Sequence, residues 1–268
     1  MSDAQLAVAA VQAGAAVVRA RYGTALIRTE KAAGDFATVA DIEAEQAILR
    51  VLRAARPDDQ VLAEESGRTG DGDSGRIWLV DPLCGTLNYA ARTMLASVNV
   101  ALQVDGAPSA AACADPFAAE LFWTDGTRAW VRRDGDDESI SPSPHSGLVE
   151  VNLDPPCPNA PVFQAVRLLA EPGFTARFRP RVVSTTLAVT WVAAGRRAGY
   201  VTDGPVCDSV HFAAGLALCR AAGCVVTGLD GRAPNTGVGG LLVAADQETH
   251  DVLADLVARQ LSAGHHRF

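Results

Sequence analysis

Acidic residues follow two short apolar segments of the chain, and they stand where α/β sheets bind ligands. Strands are predicted at residues 61–63 and 77–80, and Glu64, Glu65 and Asp81 come directly after them. Ligands of α/β sheets usually bind at the carboxyl ends of strands. The two segments therefore predict a ligand site lined by carboxylates.

The run WLVDPLCGTLNY at residues 78–89 adds further chemistry. Pro82 stiffens the chain after Asp81, and Gly85 with Thr86 is predicted to open a helix whose free N–H groups receive an anion. An Asp-Pro turn with Gly is also common in ordinary loops, so this run alone fits a structural turn as well.

Several motifs follow one another in a fixed order along the chain. They are Lys31, DFATVAD at 35–41, AEESG at 63–67, the run at 78–89, the stretch 184–195 and Ala213-Ala214-Gly215. Together they resemble the inositol monophosphatase family of metal-dependent sugar and nucleotide phosphatases. The resemblance covers nearly all of the 268 residues.

The resemblance implies a metal site and a pair of residues that activate water. In that family an Asp-Pro-x-Asp-Gly-Thr motif, an upstream Glu-Glu pair and a late Trp-Asp-x-Ala-Ala-Gly motif gather Mg²⁺ around a phosphate monoester. Carried over, Glu64, Asp81 and the Leu83 carbonyl are expected to ligate the first metal. Asp41 and Thr86 are expected to orient and activate the attacking water.

The same resemblance implies contacts with the substrate. The backbone of Gly85 and Thr86 matches the phosphate cradle, and Ser184 with Thr185 matches the stretch that touches the substrate ring. Lys31 stands where the family keeps a lysine near the metals, although a surface lysine is the alternative. It is the only lysine of the chain.

Two positions depart from the family pattern. Cys84 replaces the second motif Asp, and His211 replaces the Asp of the late motif, with Val210 in place of its Trp. Both lost carboxylates serve the same second metal, and Mg²⁺ is a hard cation that prefers oxygen ligands. Asp208, three residues before His211, is either a surrogate ligand on the same helix face, counted among the substrate-binding candidates, or part of the N-cap region of that helix.

Cys84 and His211 are expected to face each other near Asp81. This arrangement leaves three alternatives open for the role of Cys84. A Cys, a His and two carboxylates describe either a zinc-type site or a thiolate–imidazolium pair oriented by an acid. Burial of Cys84 as a small hydrophobe is the third alternative. The cofactor alternatives are accordingly Mg²⁺ at a reduced site, Zn²⁺, or no metal, and the catalytic candidates are Cys84, His211, Thr86 and Asp41.

Three functions follow from these alternatives. The first is a phosphatase acting on a small sugar, cyclitol or nucleotide phosphate. The second is a recruited enzyme on the same fold that uses Cys84 as nucleophile and His211 as base for acyl transfer, hydrolysis or cyclisation. The third is a catalytically silent binding protein that kept the pocket.

Composition limits the partners. The net charge is −8, so no overall field attracts nucleic acid or anionic lipid. The apolar stretch at residues 6–18 is too short for a membrane span. Six cysteines without a CxxC pair predict reduced thiols and a cytoplasmic protein. The expected partner is a small-molecule substrate, and the family resemblance implies a homodimer.

The elements that must position these residues indicate an α/β protein. Helices are predicted from Ser2 to Arg21 and at 39–56, and an antiparallel meander at 97–133. The polar segment 134–147 suggests a boundary between an N-terminal half (1–146) and an α/β half (147–268), with the site between them. The resemblance implies a layered α-β-α-β-α fold. In the second half, strands are predicted at 148–153, 181–183, 199–202, 225–227 and 241–244, and helices at 160–170, 184–194, 209–222 and 247–261.

Overall fold

The computed structural model describes residues 1–24, 28–32, 35–70, 72, 74–153, 163–204, 206, 209–234 and 236–264. The α-helices among these residues are α1 (Asp3–Arg21), α2 (Val39–Ala55), α3 (Thr86–Ala90), α4 (Pro172–Arg177), α5 (Leu187–Ala193), α6 (Val210–Ala222) and α7 (Gln247–Gly264). The strands are β1 (Arg28–Ala32), β2 (Asp35–Thr38), β3 (Gln60–Ala63), β4 (Gly67–Thr69), β5 (Arg76–Cys84), β6 (Ser97–Val104), β7 (Ala107–Asp115), β8 (Glu120–Thr124), β9 (Ala129–Arg133), β10 (Asp136–Ser139), β11 (Leu148–Val151), β12 (Arg179–Arg181), β13 (Gly199–Thr202), β14 (Val225–Thr227) and β15 (Leu241–Ala244). In this part of the chain, no helix is both long and apolar enough to cross a membrane.

The chain forms two units, and the first is completed by two later segments. The first unit contains Met1–Ser139, Thr185–Thr190 and Val210–Ala221. The second contains Ile140–Ser184, Trp191–Ser209 and Ala222–Phe268. The division of the chain between residues 146 and 147 stays a prediction, as does a site between the two halves.

An eight-stranded sheet organises the first unit, in the order β10-β9-β8-β7-β6-β5-β3-β4. Neighbouring strands are antiparallel except β3 and β5, which are parallel. α1 and α2 pack against the sheet in one core that includes Leu6, Ile48 and Val98. A Cβ on Gly14 would meet Ile48 Cδ1 at 2.8 Å and Val98 Cγ1 at 3.0 Å, so a larger residue there would force these side chains to shift.

The start of α2 fixes one of the candidate residues. Thr38 is the N-cap, and its Oγ1 accepts from the Ala40 N–H at 3.2 Å. Its backbone N–H and its hydroxyl both donate to Asp41 Oδ2, at 2.8 and 2.5 Å. This reciprocal capping box satisfies N–H groups at the helix start and holds the fully buried Asp41 side chain in one orientation.

The opposite face of the eight-stranded sheet is covered by α6. Leu79, Ala101 and Ala111 of the sheet pack against Ala214 and Ala217 of the helix. Small residues on both sides permit a short distance between helix and sheet. This packing positions the first turn of α6, which carries His211, beside β5.

The second unit contains a five-stranded mixed sheet in the order β12-β11-β13-β15-β14. β11 is parallel to both β12 and β13, and the remaining pairs are antiparallel. Its core buries Val149, Phe174, Leu242 and Leu253, which lie on β11, α4, β15 and α7. Along residues 147–268, strands and helices follow one another in the predicted order, although α6 belongs to the first unit.

Most predicted elements are confirmed, including the meander of β6 to β9 and the strands 199–202, 225–227 and 241–244. The predicted helix 160–170 is wrong over the described residues, where a 3₁₀ helix at Ala165–Ala170 ends before Pro172 starts α4. The strand predicted near 181–183 lies at Arg179–Arg181.

Two boundaries near the candidate residues also differ from prediction. The predicted helix 184–194 begins only at Leu187, because Ser184 has a left-handed φ of +55° and the Thr185 hydroxyl accepts from the Leu187 N–H. Asp81 lies inside β5 and not beyond the end of that strand.

Candidate active site

An irregularity of β5 brings Asp81 and Cys84 to one place. In the pairing with β6, Asp81 lies opposite Asn99 and Cys84 opposite Ser97, so β5 has one residue more than its partner. Side chains alternate between the faces of a regular strand, and an inserted residue resets that alternation. Two residues that a regular strand would separate therefore share one cluster.

His211 reaches this cluster from the first turn of α6. Its Nδ1 lies 2.8 Å from Oδ2 of Asp81, and the Leu83 N–H donates to Oδ1 of Asp81 at 3.2 Å. The Asp81 side chain is fully buried, whereas 43% of the His211 side chain is exposed. The cluster is thus closed on the carboxylate side and open to solvent on the imidazole side.

Asp81 and His211 stabilise each other's charged forms. Burial by itself would raise the pKa of Asp81, but the charge and hydrogen bond of His211 hold that pKa below its ordinary value, helped by hydrogen bonds with Glu64 and Cys84. Burial likewise lowers the pKa of His211, but the charge and hydrogen bond of Asp81 raise it well above that of free imidazole. In the protein alone, the pair is a carboxylate and an imidazolium at neutral pH.

Two neighbouring threonines hold Cys84. The Thr186 hydroxyl and the Thr186 N–H both donate to Sγ of Cys84, at 2.9 and 3.3 Å. The Thr185 hydroxyl donates to the Cys84 carbonyl at 3.2 Å, and the Asn99 amide donates to Oγ1 of Thr186 at 3.3 Å. The sulfur is therefore fixed by a small hydrogen-bonded network.

The thiol of Cys84 is a weak acid in this setting. Burial raises its pKa, and the nearby charge of Asp81 raises it further. Hydrogen bonds from His211 and Thr186 and the charge of His211 act in the opposite direction without reversing the shift. With no metal ion beside it, Cys84 is a neutral thiol at neutral pH.

The cluster contains a set of donors that could hold a metal. A carboxylate oxygen of Asp81, Sγ of Cys84 and a ring nitrogen of His211 all lie within 4.8 Å of one another. Thiol and imidazole do not fit a Mg²⁺ ion, which requires oxygen ligands. The donors therefore do not fit the second Mg²⁺ that the family resemblance implies.

A second cluster lies beside the first, and its side chains and carbonyl offer only oxygen atoms. The Thr86 hydroxyl lies 3.1 Å from Oδ1 of Asp41 and 3.1 Å from the Leu83 carbonyl. Oδ2 of Asp41 is already occupied by Thr38. Thr86 and Asp41 thus form the hydroxyl–carboxylate contact that the resemblance predicts for a water-activating pair.

Gly85 makes the turn between the two clusters. Its φ is +99°, a left-handed conformation that strains any residue with a side chain. It is the N-cap of α3 and accepts from the Tyr89 N–H at 2.9 Å, with no side chain capping the first turn. Its role in a phosphate cradle stays a prediction.

Most of the predicted site residues lie in the first unit. These are Asp41, Glu64, Asp81, Leu83, Cys84, Gly85, Thr86, Thr185 and His211. Ser184 is assigned to the second unit. Asp208 and the side chain of Lys31 lie outside the described part of the chain, although the Lys31 backbone belongs to β1.

Sequence reasoning missed three residues that hold the predicted ones. Thr38 fixes Asp41, Thr186 fixes the Cys84 sulfur, and Asn99 fixes Thr186. Thr38 stands directly before the predicted second helix, which is the usual pattern of an N-cap. Thr186 and Asn99 have no such pattern, because their partners come from distant parts of the sequence.

Comparison with known proteins identifies the chain's relatives. The family model described as the inositol monophosphatase family matches residues 2–262. An inositol-1-monophosphatase of Caulobacter vibrioides is 30% identical over 232 residues, which are 85% of this chain and 89% of that protein. One from a Synechocystis strain is 37% identical over 119 residues, and this match spans only 44% of the chain and 42% of that protein.

Solved structures share the fold. The crystal structure of the extragenic suppressor protein suhB from Bartonella henselae matches with a TM-score of 0.82 at 25% identity, covering 97% of this chain and 98% of that one. The α/β fold class predicted from the sequence is thereby confirmed. Because the family model matches nearly its whole length and solved structures share its fold, the chain belongs to the inositol monophosphatase family.

Proposed function

We propose that this protein is a metal-assisted hydrolase of phosphoric monoesters that acts on a small phosphorylated metabolite, of the sugar, cyclitol or nucleotide phosphate class. The observation that carries this proposal is the 3.1 Å contact between the Thr86 hydroxyl and the buried Asp41 carboxylate. A hydroxyl held by a carboxylate beside further carboxylates is suited to general-base activation of water. Family membership supports the same reaction class.

Oxygen donors for one hard cation are present beside this pair. The Asp81 and Glu64 carboxylates are in hydrogen-bond contact, and the Leu83 carbonyl faces Thr86. These three oxygen groups fit one Mg²⁺ ion. When bound, Mg²⁺ supplies positive charge to the phosphate oxygens and lowers the pKa of a bound water.

Thr86 is proposed to orient the attacking water. Its single hydroxyl hydrogen points to Asp41 or to the Leu83 carbonyl, which leaves a lone pair of Oγ1 to accept a hydrogen from water. During hydrolysis the water oxygen bonds to phosphorus while the ester P–O bond breaks. The water proton passes through the Thr86 hydroxyl to Asp41, and the alcohol leaves with a proton from solvent.

The thiol-based alternative has weaker support. A Cys84 nucleophile requires a thiolate, and burial together with Asp81 raises the pKa of this thiol. Asp81 also pairs His211 as an imidazolium, which is not available as a base. The remaining alternative is a catalytically silent binding protein. The phosphate-release assay described below tests it.

We further propose a cytoplasmic homodimer. The described cysteines Cys84, Cys113, Cys219 and Cys224 form no disulfide, which suits a reducing compartment. Light scattering of the purified protein tests the dimer: a monomer at micromolar concentration contradicts it.

Phosphate release from a panel of sugar, cyclitol and nucleotide monophosphates, measured across Mg²⁺ concentrations, tests the proposed reaction. Thr86→Ala is expected to lower kcat about 100-fold, because the water loses its orienting hydroxyl, while Thr86→Ser keeps most of the activity. Thr127→Ala, at an exposed turn threonine, is the matched control and leaves kcat unchanged. The absence of phosphate release from every substrate, or an unaffected Thr86→Ala enzyme, overturns the proposal.

A further inference from the structure

Three different metal-binding side chains are built into one triangle. Asp81 hydrogen-bonds to His211 and to Cys84, and His211 hydrogen-bonds to Cys84. One oxygen, one sulfur and one nitrogen thus lie within 4.8 Å of one another. They come from the two sides of the β5 irregularity and from the first turn of α6, so rigid elements fix all three.

The chemistry of this triangle selects a class of cation. Zn²⁺ binds thiolate, imidazole and carboxylate ligands in tetrahedral sites, whereas Mg²⁺ takes oxygen ligands in octahedral ones. Sulfur and nitrogen supply two of the three donors here. A cation of the zinc class fits this set, and a second Mg²⁺ does not.

Neighbouring groups orient two of the three ligands, Cys84 and Asp81. The Thr186 hydroxyl and N–H donate to the sulfur, and such hydrogen bonds favour a thiolate. The Leu83 N–H donates to Oδ1 of Asp81, the oxygen that does not contact His211. Outer hydrogen bonds of this kind commonly change metal affinity by about 10- to 100-fold.

The triangle is open on one side. Among the described residues, no fourth His, Cys, Asp or Glu joins the three within the same range. With 43% of its side chain exposed, His211 lies at the open edge. Structural zinc sites have four protein ligands, whereas catalytic ones have three and keep a position for water or substrate.

We propose that Asp81, Cys84 and His211 form a three-ligand site for a Zn²⁺-class cation, with an open fourth position, where the family resemblance implies a second Mg²⁺. A catalytic use of the site rests on the proposed phosphatase function. The binding of the cation does not.

Co²⁺ titration of the full-length protein, stripped of metals with a chelator, tests the site directly. Co²⁺ is a spectroscopic substitute for Zn²⁺, and one equivalent is expected to give a thiolate-to-cobalt charge-transfer band and the visible bands of a four-coordinate ion. Zn²⁺ is expected to abolish these bands by displacement, and millimolar Mg²⁺ to leave them.

Matched variants assign the ligands. Cys84→Ser is expected to remove the charge-transfer band, and His211→Asn to weaken Co²⁺ and Zn²⁺ binding at least tenfold. Cys224→Ser and His145→Asn, which alter a partly exposed thiol and an exposed imidazole, are expected to behave as wild type. Circular dichroism verifies that each variant is folded. The cobalt spectrum of the wild-type protein tests the site without depending on the folding of any variant.

The outcomes separate this site from the proposed reaction. A wild-type protein without a thiolate band, or a band that survives Cys84→Ser, overturns the site. If Mg²⁺ alone supports phosphate release and no such band forms, the reaction stands and the site is refuted. A thiolate band without phosphate release under any metal supports the site and refutes the phosphatase.

Discussion

Two clusters meet at Leu83, and they differ in donor chemistry. The Leu83 carbonyl faces Thr86 and Asp41, where only hydroxyl and carboxylate groups are present. The Leu83 N–H binds Asp81, whose other oxygen contacts His211 in the cluster that contains Cys84. The backbone of one residue thus joins an arrangement that keeps the family pattern to one that departs from it.

The comparison separates two properties of a site: backbone elements position the side chains, and the side-chain types decide which ligands each cluster offers. The oxygen cluster is fixed by the N-cap of α2 and the turn at Gly85. The mixed cluster is fixed by the β5 irregularity and the start of α6. Because backbone features position both clusters, we expect substitutions at Cys84 and His211 to change the ligands without moving the backbone that carries them.

The largest expected difference concerns thiol reactivity. In the presence of a chelator at about pH 8, iodoacetamide is expected to modify Cys84 at least about 100-fold more slowly than Cys224, because only thiolates react and burial raises the Cys84 pKa. Cys113, whose pKa burial raises to about 12, is expected to be equally protected. Because the pKa values of Cys84 and Cys113 are raised, their labelling rates are expected to keep rising with pH beyond the ordinary thiol range, where the rate of an unperturbed thiol levels off.

Peptide mass mapping over time measures these rates, and unfolded protein provides the control in which all cysteines react. Equal labelling of Cys84 and Cys224 in the folded protein contradicts a neutral buried thiol. That result returns the nucleophile hypothesis to consideration.

The next effect is on stability. Asp81→Asn keeps an oxygen for the Leu83 N–H but removes the charge that His211 pairs with, so the free energy of unfolding is expected to fall by about 2 kcal/mol. Asp137→Asn makes the same change in a partly exposed pair with Arg132 and is expected to cost less than about 1 kcal/mol. Urea unfolding measures both, and equal losses contradict a special role for the buried pair.

Restoring the family's carboxylates is expected to convert the mixed cluster. Cys84→Asp combined with His211→Asp supplies two oxygen ligands, and Mg²⁺ affinity is expected to rise at least about tenfold. Calorimetry measures this affinity. Cys224→Asp combined with His145→Asp adds the same charges elsewhere as a control. Two tightly bound Mg²⁺ ions in the unaltered protein contradict the distinction between the clusters.

The smallest effect concerns the residue that holds the sulfur. Thr186→Val keeps the N–H but removes the hydroxyl between Sγ of Cys84 and Asn99, with an expected loss of about 1 kcal/mol of unfolding free energy. Thr127→Val, at an exposed turn, is expected to cost no more than about 0.5 kcal/mol. A null effect of Thr186→Val on urea unfolding shows that this hydrogen bond does not stabilise the fold.

Much of the fold follows from local sequence patterns. The capping residues before α1 and α2, the turns of the meander and the short apolar strands of the second half are local features, and their elements were predictable within a few residues. The 3₁₀ helix before Pro172 and the late start of α5 depend on single backbone conformations that periodicity does not reveal.

The sequence by itself determined the family pattern, the two departures at Cys84 and His211 and the types of ligand those residues offer. The family resemblance already predicted Cys84 and His211 near Asp81. Only the tertiary structure showed how this happens, because strand alternation would separate Asp81 and Cys84 without the inserted residue in β5. It also decided that Thr186, which accepts from Asn99, holds the sulfur, and that the thiol is buried and neutral. These properties arise from contacts between residues distant in sequence, and burial and charge act on a pKa through space and not along the chain.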